Sequence, residues 1–290
     1  MDMNNGYNGI VVAIEKTVAQ NLSPAFLQFL LRNEKRCFKD AFYYIFRKEN
    51  EILGYAEIRY WQSTLLEKPI SYFINPEFQD LGIDKQMLSF VLGDYSFANL
   101  SMSVENDELD KIKMIESFGF KMKNITKIYQ LQTKRLLVKT DFSSFNQISK
   151  LSKELKKQFE NMLYDKIKNV SNILQSEAIL GKEHEFFQKF LKDVSLQHSY
   201  VCVQEGQIQG WILFKKLGDK NLMLLDASRD CDEKTFSEFL SAVFAVLAQK
   251  DITIKMEMID DDYMAKMIVN LFAVKPQKVY YNYIRFAGKE

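Results

Sequence analysis

Glycine and proline are scarce in this chain, at eleven and four of 290 residues. That composition excludes long flexible linkers, collagen-like repeats and low-complexity segments. Histidine is scarcer still. His184 and His198 lie 198 − 184 = 14 residues apart without a partner at metal spacing, which argues against a His-based zinc site or a Ser-His-Asp triad. The three cysteines, Cys37, Cys202 and Cys231, show no CxxC spacing and fit packing roles in a reducing compartment.

An excess of one charge and long apolar runs are missing as well. The formal net charge is +1 with acidic and basic residues interleaved, so nothing attracts nucleic acid or anionic lipid. No run of about 18 apolar residues occurs, and residues 1–9 are polar, without the apolar core of a signal peptide. We therefore expect a cytoplasmic protein that has neither nucleic acid nor a membrane as a partner.

Phenylalanine (23) and tyrosine (14) are plentiful, and 47% of residues are hydrophobic, which is typical of a globular protein with one large or two ordinary domains. In the first half, Ser23 and Pro24 indicate the start of a helix, and Gly119 indicates the end of another. The apolar spacing predicts a mixed α/β arrangement. It has strands 10–14, 42–46, 52–61, 70–74, 100–104 and 125–131, and helices 24–31, 83–92 and 108–118.

From residue 142 the pattern becomes purely helical. Apolar residues step by three or four at Ile148, Leu151, Leu155, Phe159, Leu163, Ile167, Val170 and Leu174. This spacing fits a coiled-coil or partner-binding helix, or one or two core helices that open a second domain, and we favour the core helices. Further elements follow: a hairpin over 200–203 and 208–214, strands 222–225, 252–258 and 279–286, and helices 236–248 and 261–271.

Two local matches indicate that the second half repeats the first. Gly54-Tyr55 corresponds to Gly210-Trp211 at an offset of 210 − 54 = 156. Lys113-Met114-Ile115 recurs as Lys266-Met267-Ile268 at an offset of 266 − 113 = 153. Nearly equal offsets, with the same order of elements around both, favour a duplicated fold. We expect an N-terminal domain over residues 1–133 and a C-terminal domain over 134–290.

The segment from Ile70 to Leu88 carries the strongest functional signal. It reads as a strand, a turn at Asn75-Pro76, a tight loop around Gly82 and an amphipathic helix. Gly82 lets the chain turn sharply and lets a ligand approach the backbone. The N–H groups of the first helical turn have no partner within the helix, so they are available to phosphate oxygens. The segment therefore predicts a pyrophosphate site.

This segment, the hairpin with Gly54-Tyr55-Ala56 and the run 112–120 together resemble the GNAT acetyltransferase superfamily, over about residues 52–120. The resemblance implies an α/β fold with two tandem GNAT-like acyl-CoA N-acyltransferase domains, and acetyl-CoA as co-substrate. It implies that the strand at Phe73 and Ile74 pairs with pantetheine and that Asn106 contacts the cofactor, although Asn106 equally fits a helix N-cap. The loop whose amides would bind the pyrophosphate consists of Gln79, Asp80, Leu81, Gly82, Ile83 and Asp84.

Two residues depart from the pattern of that family. Asp84 stands where the family has glycine or alanine, and its charge would repel a pyrophosphate by about 4 kcal/mol at 4 Å and an effective dielectric near 20. Ile115 stands where many members carry a tyrosine that protonates the departing thiolate, which isoleucine cannot do. The loop of the second half, 226–233, has no glycine and carries four acidic residues, so we expect a degenerate copy there.

Two glutamates are candidates for the general base of an acyl transfer. Glu57 lies in the hairpin and Glu67 just before the strand that leads to the loop. The sequence thus predicts transfer of an acetyl or other acyl group to the amine of a small molecule or peptide. The alternative is a non-catalytic GNAT-like scaffold whose CoA sites have decayed, and Asp84, Ile115 and the acidic second loop favour it. We expect no metal, and we interpret Asp260-Asp261-Asp262 as a helix cap.

Overall fold

The computed structural model of the protein describes residues 13–59, 67–137, 142–174 and 183–288. Strands and helices alternate over these residues, and none of their helices is long and apolar enough to cross a membrane. The strands are β1 (Ala13–Val18), β2 (Ala41–Lys48), β3 (Glu51–Arg59), β4 (Glu67–Ile74), β5 (Asn99–Glu105), β6 (Lys121–Gln132), β7 (Phe145–Gln147), β8 (Tyr200–Gln204), β9 (Gln207–Lys216), β10 (Asn221–Arg229), β11 (Thr253–Ile259) and β12 (Lys278–Arg285). The helices are α1 (Pro24–Arg32), α2 (Ile83–Asp94), α3 (Leu109–Ser117), α4 (Lys153–Leu174), α5 (Glu183–Asp193), α6 (Glu233–Ala248) and α7 (Tyr263–Asn270).

The described residues form two compact units. Unit 1 contains residues 13–123 and 281–288, and unit 2 contains 124–174 and 183–280. These units do not coincide with the predicted division into 1–133 and 134–290. Most of β6 lies in unit 2 beside β11, whereas the end of β12 lies in unit 1 beside β5. The alternating pattern of a strand shows which of its faces is buried but not which strand it pairs with. The sequence pattern therefore does not reveal to which unit β6 and the end of β12 belong.

The sheet of unit 1 has the order β1-β2-β3-β4-β5-β12. Strands β1 to β4 are antiparallel, and β4 and β5 are parallel. The predicted apolar stripe of α2 is buried against one face of the sheet together with α3. Helix α1 covers the other face with Phe26 and Leu30, which pack among Tyr43 and Tyr55. Side chains of β3 alternate between these two cores, as a strand that is buried on both faces requires.

Unit 2 repeats this plan. Its sheet has the order β6-β11-β10-β9-β8-β7, with β10 and β11 parallel. Helices α6 and α7 cover one face, and α4 and α5 cover the other. Phe159 and Leu163 of α4 are buried, which confirms the prediction of core helices; the side chains of Val170 and Leu174 lie outside the described residues.

The helix ends follow local capping chemistry. Ser23 caps α1 by accepting a hydrogen bond from the N–H of Phe26, and Asp262 caps α7 in the same way, as predicted. Gly119 has φ +84° just after α3, where a left-handed residue ends a helix. The helix predicted from residue 142 is shorter than expected. Residues 145–147 instead pair with β8, and α4 begins only at Lys153.

Candidate functional site

Strand β4 changes partners along its length. Its first three residues, Glu67–Pro69, pair in parallel with Asn99–Ser101 of β5. From Ile70 to Ile74 it pairs only with β3, in antiparallel register. Among the described residues the two parallel strands are paired as far as Pro69 and Ser101 and not beyond, so they diverge. We call the space between residues 70–74 and 102–105 the β4–β5 opening.

The main chain of β4 presents free hydrogen-bonding groups to this opening. The N–H of Asn75 donates to the carbonyl of Leu53 at 2.8 Å, which fixes the alternation of the β3–β4 ladder. By that alternation Phe73 directs its N–H and C=O toward β3, whereas Tyr72 and Ile74 direct theirs toward the opening. The sequence predicts that the main chain of Phe73 and Ile74 pairs with an extended ligand. In the structure the main-chain groups of Ile74 face the opening, whereas those of Phe73 face β3. Tyr72, and not Phe73, is therefore the second residue that could pair with such a ligand.

The predicted loop closes the wide end of the opening. Residues 76–81, which include Gln79, Asp80 and Leu81, form a 3-10 turn that ends at Gly82. Gly82 has φ +68°, the left-handed conformation that glycine adopts without strain. Helix α2 begins at Ile83. Its cap residue, Gly82, has no side chain that could bond the first N–H groups of the helix. The strand, turn and helix are thus arranged as a main-chain anion cradle requires.

Asp84 occupies part of that cradle. Its Oδ1 accepts a hydrogen bond from the backbone N–H of Lys85 at 2.8 Å, one of the donors that a phosphate would use. A carboxylate in the first turn also suits the helix dipole. Burial raises the pKa of Tyr72, and the nearby carboxylates of Asp84 and Glu108 raise this pKa further. Two carboxylates thus lie near the mouth of the opening, and Lys111 lies beside them, 4.9 Å above the Tyr72 ring and 3.2 Å from Glu108.

Glu57 is a buried carboxylate one strand away from the opening. It is 2% exposed and lies on the α1 face of the sheet, opposite Ser71 of β4. The Ser71 hydroxyl donates to Glu57 Oε1 at 2.7 Å, and Arg59 Nε donates to the same oxygen at 3.1 Å. Within the described part of the chain, the other oxygen, Oε2, is buried without a hydrogen-bond partner. Unsatisfied buried carboxylate oxygens are costly, so their occurrence points to a functional role.

Two tyrosines surround this carboxylate. Tyr43 faces Glu57 from β2, and Tyr55 precedes it by two residues on the same face of β3. Burial raises the pKa of both hydroxyls, and the negative charge of Glu57 raises each further. Both phenols are therefore neutral at physiological pH. Sequence reasoning missed Ser71, Arg59 and Tyr43, because only the strand register brings them to Glu57.

Comparisons with solved structures agree with the fold of both units. A GCN5-related N-acetyltransferase from Sphaerobacter thermophilus superposes with a TM-score of 0.63 at 10% identity, covering 96% of each chain. A tandem GNAT protein from the clavulanic acid biosynthesis pathway superposes with a TM-score of 0.60 at 9% identity, covering 96% of this chain and 99% of the other. The chain has a tandem GNAT fold. No family profile and no curated protein matches the sequence.

Within the GNAT fold, the remaining predicted site residues lie in distinct places. Glu67 stands at the closed end of the β4–β5 opening and forms a 2.6 Å ion pair with Lys123. Asn106 is exposed in the turn after β5, at the open end. It does not cap α3, because that helix begins at Leu109 with Glu108 in the cap position. Ile115 is fully buried in the apolar core and supplies no proton donor.

The second GNAT unit has the same register but different chemistry. Gly210 pairs with Arg229 as Gly54 pairs with Ile74, and in the described structure three residues of β10, Asn221–Met223, pair in parallel with β11. The pair that corresponds to Glu57 and Ser71 is Leu213 and Asp226, so the carboxylate has moved to the neighbouring strand. The N-terminus of α6 is closed by Asp232, which accepts from the N–H of Thr235 at 3.0 Å.

Proposed function

We propose that unit 1 transfers an acyl group from an acyl-CoA thioester, acetyl-CoA being the simplest, to an amine, with Glu57 as the general base. The observation that carries this proposal is the buried Oε2 of Glu57, which has no hydrogen-bond partner among the described residues and lies one strand away from the splayed β4–β5 pair of a GNAT fold. The acceptor is the amine of a small molecule or peptide. The free cysteines of the described residues suit a reducing compartment, and we propose the cytoplasm.

The chemistry needs few groups from the protein. The amine nitrogen attacks the thioester carbonyl, a C–N bond forms, the C–S bond breaks and the thiolate leaves. The proton lost by the nitrogen passes to Glu57 Oε2, while Ser71 and Arg59 hold Oε1 in place. Because Ile115 cannot donate a proton, the thiolate takes its proton from water. Holding the amine beside the thioester supplies much of the rate.

The opening fits the pantetheine arm of coenzyme A better than it fits the pyrophosphate. The main-chain groups of Tyr72 and Ile74 suit the amides of the pantetheine arm, which would add to the sheet as an extra strand. The amides after Gly82 suit the pyrophosphate only if the Asp84 carboxylate turns away from Lys85. We therefore expect weak binding of CoA by the unaltered protein.

The decisive experiment compares Glu57→Gln with Glu51→Gln, a control at an exposed position of the same strand. Acetyl-CoA and longer acyl-CoA thioesters are incubated with a panel of amines, and both free thiol and acylated amine are measured. We expect Glu57→Gln to lower kcat/KM by about 10²- to 10⁴-fold. Glu51→Gln should stay within about twofold of the unaltered protein. Full activity in Glu57→Gln would show that another group is the base.

A second candidate function is a non-catalytic scaffold. The hydrogen bond from Lys85 to Asp84 favours it, because the anion cradle is filled by the protein itself. A scaffold would show no turnover above background with any pair of thioester and amine. Isothermal titration with CoA and acetyl-CoA then separates a protein that binds without turnover from one that does not bind. Absence of heat at millimolar CoA would remove the acyltransferase proposal.

A further inference from the structure

The α1 face of β3 and β4 carries a small patch beside the β4–β5 opening. Glu57 pairs with Ser71 and Tyr55 pairs with Phe73, and all four side chains lie on this face. Ser71 and Phe73 are half-buried and so reachable from solvent, whereas Glu57 is 2% exposed. We call these four residues the α1-face patch. Because β4 borders the opening, a small molecule on this patch lies next to a thioester bound along β4.

The turn that ends α1 holds a cation over this patch. The N–H of Lys35 donates to the carbonyl of Leu30 at 2.8 Å, and the N–H of Glu34 donates to that of Leu31 at 3.1 Å. These are the two bonds of a Schellman motif, and Glu34 has the left-handed φ of +54° that the motif requires. The backbone of Lys35 is thereby fixed, and its Nζ lies 4.5 Å from the centre of the Phe73 ring.

Lys35 differs from Arg59, the cation that contacts Glu57, in its lack of an acidic partner. Arg59 Nε lies 3.1 Å from Glu57 Oε1, and the guanidinium lies 4.1 Å from the centre of the Phe38 ring, so Arg59 balances the charge of Glu57. Among the described residues Lys35 takes part in no ion pair. The patch therefore has an uncompensated positive charge above Phe73, which a ligand with an anionic group would match.

We infer that the acceptor of unit 1 carries a carboxylate at the opposite end from its reacting amine, and that Lys35 binds this carboxylate while Glu57 takes the proton of the amine. The inference rests on the acyl transfer proposed above. Ser71 and Phe73 are two residues apart on an extended strand, a span of about 7 Å. An extended carbon chain advances by roughly 1.3 Å per bond, so about three to five carbons separate the two groups. The acceptor class is therefore an ω-amino acid, and an α-amino acid is too short.

A matched panel of amines tests this inference. γ-Aminobutyrate and ε-aminocaproate are compared with propylamine and pentylamine, which have the same methylene chains without the carboxylate, and with glycine. Acetyl-CoA is the donor, and kcat and KM are measured for each amine. We expect each ω-amino acid to exceed its plain amine in kcat/KM by at least about tenfold. Both should also be better acceptors than glycine.

Substitutions assign the preference to Lys35. Lys35→Gln should remove most of it by raising the KM for ε-aminocaproate about tenfold with little change in kcat. Lys35→Arg keeps the charge and should retain the preference. Lys35→Glu should reverse it, so that cadaverine, which carries a second amine in place of the carboxylate, becomes the better acceptor. Lys39→Gln, at an exposed cation of the same segment, is the matched control and should leave the preference unchanged.

The outcomes separate this inference from the function on which it rests. Turnover without a preference for the carboxylate, or a preference that survives in both Lys35→Gln and Lys35→Glu, would overturn the inference and leave the acyl transfer standing. Turnover of other amines but of none in the panel would do the same. Absence of turnover with every pair of thioester and amine would overturn both.

Discussion

The hydroxyl of Ser71 donates a 2.7 Å hydrogen bond to Glu57 Oε1 across the β3–β4 pair. The bond leaves the second carboxylate oxygen of Glu57 as the one without a partner in the described structure. In the proposed reaction Ser71 is therefore a positioning residue: it orients the carboxylate without touching the reacting atoms.

We predict that Ser71→Ala lowers kcat for acyl transfer by about tenfold with little change in the KM for the thioester. The reason is that Oε1 keeps only the Arg59 bond, so Glu57 is held less firmly. Ser71→Thr retains the hydroxyl and should restore most of kcat. Ser117→Ala, which removes a hydroxyl bonded to a helix carbonyl, is the matched control. Equal losses in Ser71→Ala and Ser71→Thr would mean that packing, not the hydrogen bond, matters.

Asp84→Ala should strengthen the binding of CoA. The substitution frees the N–H of Lys85 and removes a charge whose repulsion of a phosphate is worth up to about 4 kcal/mol when unscreened. After screening by solvent, we expect a gain in affinity of about tenfold or more, measured by isothermal titration. Glu77→Gln, in the preceding 3-10 turn, removes a charge without freeing an amide and controls for long-range electrostatics. Unchanged affinity in Asp84→Ala would place CoA elsewhere.

Two glycines of unit 1 should respond in opposite directions to alanine. A Cβ on Gly54 would collide with the Phe73 carbonyl oxygen and lie 3.1 Å from Ile74 Cα, both of them backbone atoms. We expect Gly54→Ala to lower the unfolding free energy by about 1–3 kcal/mol. A Cβ on Gly93 in α2 would meet no atom within 4 Å. Gly93→Ala should therefore raise the unfolding free energy by about 0.5–1 kcal/mol. Thermal or urea unfolding of both variants measures the contrast, and a stable Gly54→Ala would refute the close approach of the two strands.

The stability of unit 1 should depend on Asp94 at acid pH. Its carboxylate lies 2.8 Å from Lys16 Nζ and accepts from the Tyr44 hydroxyl at 2.8 Å. The bond from Lys16, followed by that from Tyr44, lowers the pKa of Asp94 despite partial burial. The unfolded chain therefore binds the Asp94 proton more readily than the folded protein does. The stabilisation that Asp94 provides is present above its unfolded pKa of about 3.9, and it is lost as the pH falls through the lower pKa of the folded state.

Asp94→Asn should therefore flatten the loss of stability below about pH 4. At neutral pH it should cost at most about 1 kcal/mol, because both side chains of the ion pair are more than one-third exposed and screened by water. Unfolding curves from about pH 2 to about pH 7 measure both effects, because this range extends below the Asp94 titration and up to neutrality. Asp107→Asn, at an exposed position, should leave the pH profile unchanged. An unchanged profile in Asp94→Asn would contradict the lowered pKa.

Local features of the fold were predictable from the sequence. Helix capping marks the start of α1 at Ser23 and Pro24, and a left-handed glycine, Gly119, marks the end of α3. Helical periodicity marks the buried stripe of α2. Each of these signals acts within a few residues. The offsets at Gly54 and Gly210 were also informative, since the two glycines occupy the same position in their strand pairs.

Features that depend on pairing between distant residues were not predictable. The hydrogen bond between Ser71 and Glu57 needs the exact β3–β4 register, which a one-residue shift would destroy. The sequence pattern predicts helix where the short strand β7 lies, because three residues are too few to show an alternating pattern. Asp84 was recognised as an obstacle, but its bond to the N–H of Lys85 required coordinates.

The placement of residues 281–285 in unit 1 has a consequence for biosynthesis. During translation β5 emerges long before the strand that covers its edge, because about 176 residues (281 − 105) separate them. Until residues 281–285 have been made, unit 1 carries an uncovered sheet edge of the kind that recruits other strands. Unit 2, in contrast, has its β6 from the outset. Unit 1 is therefore expected to gain its last strand only after nearly all of unit 2 has been made, in contrast to the usual order in which domains fold as they are made.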